Sequence, residues 1–409
     1  MHHDNDVTAL IDEELPSLIE LRHDLHRHPE IRFEEQRTSA AVQQQLKNAG
    51  IAFRSGLAGG TGVFAFLPGG DQGDRATGLR ADMDALPIPE KNTFDYASAN
   101  PGFMHACGHD GHTTILIGAA RVLSRLSKYQ RLPRPVSFLF QPAEEGGAGA
   151  DHMINDGCLD GSILGPPVGE LFGLHGWPDL PIGNVLTRPG PLAAACDAFI
   201  IRITGKGCHA AFPHLGNDPV VASATLIVSL QSIVARNVNP QNQAVLSVTR
   251  VSGGTASNII PDEVELQGTI RTLSDQDREL LRTRLTECVH GLMAAHRCTA
   301  GIEWELPAYP ALHNDPKQVE VFEKVAAAIL GAENVRRMEA PVMGGEDFAY
   351  YTSHVPCCFF MIGLRPPDGR TVSGLHTPTF DFTDAAIATG VELFCRLAVR
   401  DLQRQAERL

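Results

Sequence analysis

Arg134-Pro-Val-Ser-Phe-Leu-Phe140 runs directly into Gln141-Pro-Ala-Glu-Glu-Gly-Gly-Ala-Gly149. The first half is a short apolar run, as in a strand buried on both faces. The second is a glycine-rich loop carrying two adjacent carboxylates. Similar apolar runs recur at Gly62–Leu67, Ala76–Arg80 and Leu171–Leu174, and a helical pattern fills Thr113–Leu126. Strands alternating with helices predict a largely parallel α/β sheet flanked by helices, with ligands gathering where strands end.

Working outward, residues 7–50 read as helix: Leu10, Ile11, Leu15, Leu18, Ile19 and Leu21 recur near helical period, and a second stretch covers Thr38–Lys47. From about residue 188 the pattern changes. Ala198–Thr204 reads as strand, Pro219–Asn237 as helix, and Ala244–Val251 and Val264–Arg271 as strands joined through Gly253-Gly254. Asp275–His296 reads as helix and Gly301–Leu306 as strand. This β-α-β-β-α-β order is that of a ferredoxin-like α+β unit. A helix at Gln318–Leu330, a strand at Cys358–Ile362 and a helix at Asp384–Arg404 then resume the first pattern. The expectation is a two-domain α/β protein: a discontinuous catalytic domain of residues 1–187 and 308–409, with 188–307 inserted.

Bulk properties bound the function. A net charge of −14 over 409 residues argues against non-specific nucleic-acid binding, which needs a Lys/Arg surface. No apolar run approaches the roughly 18 residues of a membrane helix, and the polar start at Met1-His2-His3-Asp4 is unlike a secretory signal. Nine scattered cysteines without framework spacing fit a reducing, cytoplasmic compartment, where a special cysteine is metal-binding or reactive.

The densest chemistry is His105-Ala-Cys-Gly-His-Asp-Gly-His112, read as a loop at a helix start. Its nitrogen, sulfur and oxygen donors suit zinc, cobalt, nickel or manganese rather than calcium. Of Glu144 and Glu145, one carboxylate can hold metal while its neighbour takes a proton from water. His175 follows an apolar run as a histidine at a strand's C-terminal end, and Asp82 and Asp84 share one face of another strand end. His376, Gly344-Gly-Glu-Asp-Phe348 and Gly205-Lys-Gly-Cys-His209 add further ligand-type residues in glycine-bearing loops.

Together with Arg80-Ala-Asp-Met-Asp-Ala-Leu-Pro87, these blocks make the chain resemble the M20 family of co-catalytic metallopeptidases over nearly its whole length. It looks most like the amidohydrolase branch of hippurate hydrolases, N-acyl-amino-acid deacylases and auxin-conjugate hydrolases. The resemblance implies that Cys107, His109, Glu145, His175 and His376 ligate a pair of divalent metal ions. It implies Glu144 as general base, Asp84 as a carboxylate orienting a ligand, and His209 as the oxyanion-stabilising group, in relatives often supplied by a partner subunit. Asn258, Arg271 and Gly345 fall where relatives bind substrate. One departure stands out: peptidase branches carry His-x-Asp where this chain has Asp82-Met83-Asp84, and Cys107 fits the amidohydrolase pattern instead. The implied enzyme hydrolyses N-acyl amino acids, as a homodimer or higher homo-oligomer through the inserted lid. A dipeptidase or aminopeptidase, a catalytically silent metal-binding protein and a redox role for a low-pKa Cys107 are the alternatives.

Overall fold

A computed structural model describes residues 2–70, 74–129, 131–368 and 372–400. The chain divides into two compact units, one of Met1–Gly190, His313–Glu339 and Tyr350–Leu409, the other of Pro191–Leu312 with Ala340–Ala349. The second unit thus begins and ends a few residues later than 188–307. It also takes in 340–349, which the sequence reading leaves in the catalytic part.

The first unit starts with helices α1 (His2–Arg27) and α2 (Gln36–Asn48). Strands β1 (Ala52–Leu57), β2 (Gly62–Leu67) and β3 (Ala76–Asp82) follow, then helix α3 (His109–Ser127). Next come β4 (Val136–Gln141), β5 (Val168–Pro181) and β6 (Val185–Thr187). After the second unit the chain adds helix Pro316–Leu330, strands Val335–Arg337 and Cys357–Arg365, and helix Ala385–Val399; positions 401–404 of the expected closing helix lie outside the described residues.

Eight strands form one sheet in the order β1-β2-β4-β3-β5, Cys357–Arg365, β6, Val335–Arg337. Its centre is parallel: β3 pairs in parallel with β4 and β5, and β5 with Cys357–Arg365. Pairing is antiparallel at β1–β2, β2–β4 and Cys357–Arg365–β6 and parallel again where β6 meets Val335–Arg337, so four of the seven pairings are parallel and the sheet is mostly parallel with antiparallel additions. Every residue of β3 and β4 is buried, as two-sided helix cover requires, whereas β1 is mostly exposed and its Arg54-Ser55-Gly56 gives no strand signal.

Two local expectations change. The helix expected at Thr113 begins at His109, so His109–His112 form its first turn rather than a preceding loop. Gly108 supplies the start with φ 88°, a left-handed conformation that costs glycine little, so the entry carries no Ser, Thr or Asp cap to signal it. The run ending at Leu174 continues to Pro181, which puts His175 inside a strand, opposite Met361, rather than at its end. The neighbouring strand stays paired through Gly363–Trp177, so nothing stops β5 at the histidine.

The second unit is a four-stranded antiparallel sheet in the order Ala244–Gly253, Glu263–Thr272, Ala195–Thr204, Thr299–Trp304. Phe199, Ile201 and Ile203 alternate inward and pack with Leu226 and Leu230 of helix Pro219–Asn237 and Leu281 and Leu285 of helix Asp275–Ala295. Each fully buried leucine contributes about 1.5–3 kcal/mol. Asp218 and Ser274 cap the two helices by accepting from Val220 and Asp277 N–H groups. The link after Gly253 is longer than a tight turn, because Ile259–Ile260 pairs with Cys208–His209 on the way. Among the described residues, one helix, Pro219–Asn237, is long and apolar enough to cross a membrane; it seals this unit's core with one face.

Candidate metal centre

The C-terminal ends of β3 and β4, the first turn of α3 and the middle of β5 converge in the first unit. Cys107 Sγ lies 3.3 Å from His175 Nε2 and 3.3 Å from His376 Nε2, and His376 Nε2 lies 3.1 Å from Glu145 Oε1. The donor atoms of Cys107, His109 and His175 all fall within 4.8 Å of one another, and so do those of Cys107, Glu145 and His376. Cys107 therefore belongs to both groups. His376 arrives because its backbone N–H donates to the Ala106 carbonyl, 2.8 Å away.

The surroundings leave these donors free to ligate. His109 Nδ1–H donates to Asp84 Oδ1 at 3.1 Å, and His175 Nδ1–H to the Gly176 carbonyl at 2.8 Å. Each ring is thereby fixed with Nε2 as its lone-pair nitrogen, the arrangement of metal-binding histidines. His109 Nε2 is buried without a hydrogen-bond partner. Burial opposes charge on His109, yet Asp82, Asp84 and Glu145 pull its pKa up to about 10, so the same carboxylates that hold a second proton on Nε2 would favour a metal cation in that proton's place. Burial, then Glu145 and Glu144, push the Cys107 thiol well above its ordinary range. Donor chemistry, an orphaned buried nitrogen and an excess of carboxylate all fit a cation here. The raised thiol runs against the redox alternative, which needs a depressed one.

His112 and Asp82 are committed elsewhere. His112 Nδ1–H donates to Asp82 Oδ1 at 2.7 Å, and the Gly176 N–H donates to His112 Nε2 at 2.9 Å. Both ring nitrogens are used, and burial holds the pKa low, so the ring is neutral. The other Asp82 oxygen accepts from Arg80 Nη1 at 2.6 Å. The corner where the sequence departs from His-x-Asp is thus an internal ion pair bracing the end of β3.

Glu144 and Glu145 sit on a turn immediately beyond β4. Ala143 enters it at φ 56°, ψ 41°, a left-handed conformation costing a non-glycine residue about 1–2 kcal/mol. The Glu145 N–H donates to Asp84 Oδ2 at 2.9 Å, so Asp84 holds both this turn and His109. Glu144 is 7% exposed.

A second buried network, invisible to the sequence reading, ties α1 to the segments carrying His109 and His376. Arg22 Nη1 lies 3.4 Å from Asp110 and 2.7 Å from Asp381, and its Nε lies 2.7 Å from Asp384. His26 donates from Nδ1 to Asp110 at 2.9 Å and from Nε2 to Glu90 at 3.1 Å. With both nitrogens donating the ring is an imidazolium; burial opposes this, but Asp110 and Glu90 pull its pKa up to about 9. The available signal was two basic residues four apart on the apolar stripe of Leu18, Leu21 and Leu25.

The remaining predicted residues belong to the second unit. His209 is exposed and stands opposite Ile259, and the Ala210 N–H donates to the Asn258 carbonyl at 2.9 Å, so His209 and Asn258 are brought together. The Ala211 N–H donates to His209 Nδ1 at 3.1 Å, which leaves the ring proton on Nε2. Arg271 faces Cys196 across neighbouring strands, and Gly345 packs so closely on Cys196 that a Cβ would meet its sulfur at 2.3 Å.

Known proteins resemble this chain over most of its length. The chain is 41% identical over 395 residues to an N-acetyl-L-cysteine deacetylase of Bacillus subtilis, covering 94% of this chain and 89% of the relative. It is 36% identical to the Arabidopsis thaliana IAA-amino acid hydrolase ILR1-like 4, over 94% of this chain and 86% of the relative. The crystal structure of Bacillus subtilis YXEP, described as a dinuclear metal binding peptidase from the M20 family, superposes with a TM-score of 0.79 at 34% identity, covering 95% of this chain and 98% of that one. The sequence profile of peptidase family M20/M25/M40 matches residues 78–400, and the chain belongs to that family.

Proposed function

We propose that this protein is a metal-dependent amidohydrolase that cleaves N-acyl amino acids, with Cys107, His109, Glu145, His175 and His376 holding two divalent ions. The observation that carries this reading is Cys107 Sγ, set 3.3 Å from both His175 Nε2 and His376 Nε2 and common to both donor groups. The donor set admits manganese, zinc, cobalt or nickel. Similarity to deacetylases and to an auxin-conjugate hydrolase supports an acyl amino acid as substrate, hippurate-like or N-acetylated.

Bound metal would supply Lewis acidity toward the amide carbonyl and the attacking water. Glu144 takes the proton of that water on a carboxylate oxygen as the C–O bond forms, and returns it to the nitrogen as the C–N bond breaks. Asp84 keeps His109 in its ligating tautomer and holds the Glu144–Glu145 turn through the Glu145 N–H. His209, with its proton on Nε2, donates to the developing oxyanion, presented by the second unit of this chain or of a second copy. His209→Ala lowers kcat about 100–1,000-fold and leaves metal content unchanged. Steady-state kinetics beside metal analysis reads this, and near-full activity removes His209 from the mechanism.

Assembly and location belong to the same proposal. Strand Ala244–Gly253 is an edge, and the helix packed on it leaves Val221 and Val228 53% and 73% exposed, a surface suited to a second copy. Nine unbridged cysteines favour a reducing cytoplasm.

The test is release of amino acid from benzoyl-glycine and a panel of acetyl-amino acids. Chelator-stripped protein is compared with samples refilled with manganese, zinc, cobalt or nickel. Hydrolysis returns only on refilling if the proposal holds. Cleavage of dipeptides alone points to the peptidase alternative, and silence on both with metal bound points to a binding protein.

A further inference from the structure

The connection between α1 and α2 holds a group of contacts that the mechanism above does not use. Arg32 Nη1 donates to the Glu145 carbonyl at 3.0 Å. Phe33 packs on the far side of the turn, where a Cβ at Gly147 would meet its ring at 2.9 Å. Glu35, 0% exposed, accepts the Ala143 N–H at 2.9 Å on one oxygen and the Thr61 hydroxyl at 2.8 Å on the other. These residues therefore grip the turn bearing Glu144 and Glu145 from its entry to its exit, while Asp84 takes the N–H between.

From this geometry we infer that Glu35 is a positioning residue: it holds Ala143 in its left-handed conformation and so aims the Glu144 and Glu145 carboxylates. The inference rests on the proposed roles of those two glutamates. The physical argument is one of alternatives. Ala143 at φ 56° would relax toward an ordinary region unless the peptide groups on both sides were held: the Gly149 N–H, 3.1 Å away, holds its carbonyl and Glu35 holds its N–H, so without Glu35 rotation about φ is released and Glu144 swings with it. A fully buried carboxylate is costly to keep for stability alone, since an apolar side chain would fill the same space without desolvation. Accepting a backbone N–H at the strained residue is what an apolar side chain cannot do. Glu35 touches neither substrate nor reacting atoms; it acts through the turn.

The experiment compares wild type, Glu35→Ala, Glu35→Gln and the double variant Glu35→Ala/Ala143→Gly, each refilled with manganese. The assays give kcat and KM on an acyl amino acid, manganese affinity and the urea midpoint. Glu35→Ala is expected to lose about 100-fold in kcat with KM within about threefold, as displacement of a reacting group by about 1 Å does. Glycine accepts φ 56° without strain, so adding Ala143→Gly recovers about tenfold of that loss and tightens manganese binding again, while restoring no contact. Glu35→Gln keeps one acceptor oxygen and loses less. Should Glu35→Ala not fold, the same comparison runs on Glu35→Gln with and without Ala143→Gly. Near-wild-type kcat in Glu35→Ala, or a loss that follows the urea midpoint and is not recovered by Ala143→Gly, overturns the inference. A wild-type chain inactive on every acyl amino acid overturns the parent reading instead, and manganese affinity still reads the clamp.

Discussion

Glu144→Gln lowers amide turnover by about 1,000-fold while the chain binds as much metal as wild type. General acid–base groups contribute about 100–10,000-fold, and 1,000-fold corresponds to about 4 kcal/mol of barrier. The substitution keeps shape and hydrogen-bonding size and removes only the ability to carry a proton. The two adjacent glutamates are separated by their partners. Glu145 Oε1 lies 3.1 Å from His376 Nε2 and within the donor group that includes Cys107, whereas Glu144 shares a donor group with His109 and Glu145 but none with Cys107. Glu145→Gln should accordingly lose metal first and activity as a consequence. Turnover measured alongside metal content distinguishes the two: metal loss in Glu144→Gln would mean the roles are exchanged.

The place of these two carboxylates at a strand end is legible in the amino-acid sequence, because its signals are local. An apolar run fixes β4, the next residues must be its C-terminal end, and carboxylates there face a ligand site. The four-stranded sheet of the second unit and its two helices are equally legible, since each strand and helix carries its own period and the sheet order follows from β-α-β-β-α-β, whereas the return of 340–349 to that unit is not. Polar elements are not. β1 hides behind Arg54-Ser55-Gly56, and the first turn of α3 is made of His109-Asp110-Gly111-His112, which has no helical apolar stripe. The supports of the site are hidden for a different reason. Glu35 meets Ala143 across 108 residues and Arg22 meets Asp381 across 359, and such pairings leave no trace in local periodicity. The extent of β5 is a sheet property too, set by its pairing with Cys357–Arg365 rather than by its own residues.

Arg22→Met should be the most destabilising of the single substitutions considered. The side chain is fully buried, and its guanidinium faces Asp110, Asp381 and Asp384. Removing one partner of a buried ion pair costs about 3–5 kcal/mol, because the remaining charge stays desolvated. Asp381 and Asp384 are each 31% exposed and can be partly rehydrated, which puts the loss near the lower end, while Asp110 is fully buried and cannot. The pH dependence follows from His26. Its folded-state pKa, about 9, lies above the ordinary 6.5. Its contribution is therefore fully present below pH 6.5 and is lost as pH rises through 9, a span of about 3 kcal/mol at 1.36 kcal/mol per unit. Arg22 repels the His26 charge, so without it the His26 pKa rises further and the variant has more to lose on the alkaline side. The deficit of Arg22→Met should thus widen between pH 6.5 and 9.5. Urea unfolding of chelator-stripped protein at the two pH values measures it free of metal stabilisation. A loss under about 1 kcal/mol at pH 6.5, or a deficit that narrows with pH, would show that Asp110 depends on neither cation. The consequence for the site is direct: Asp110 follows His109 in the first turn of α3, and Asp381 lies on the segment that delivers His376, so the cation that stabilises the fold also ties together two of the chain segments that carry the proposed metal donors.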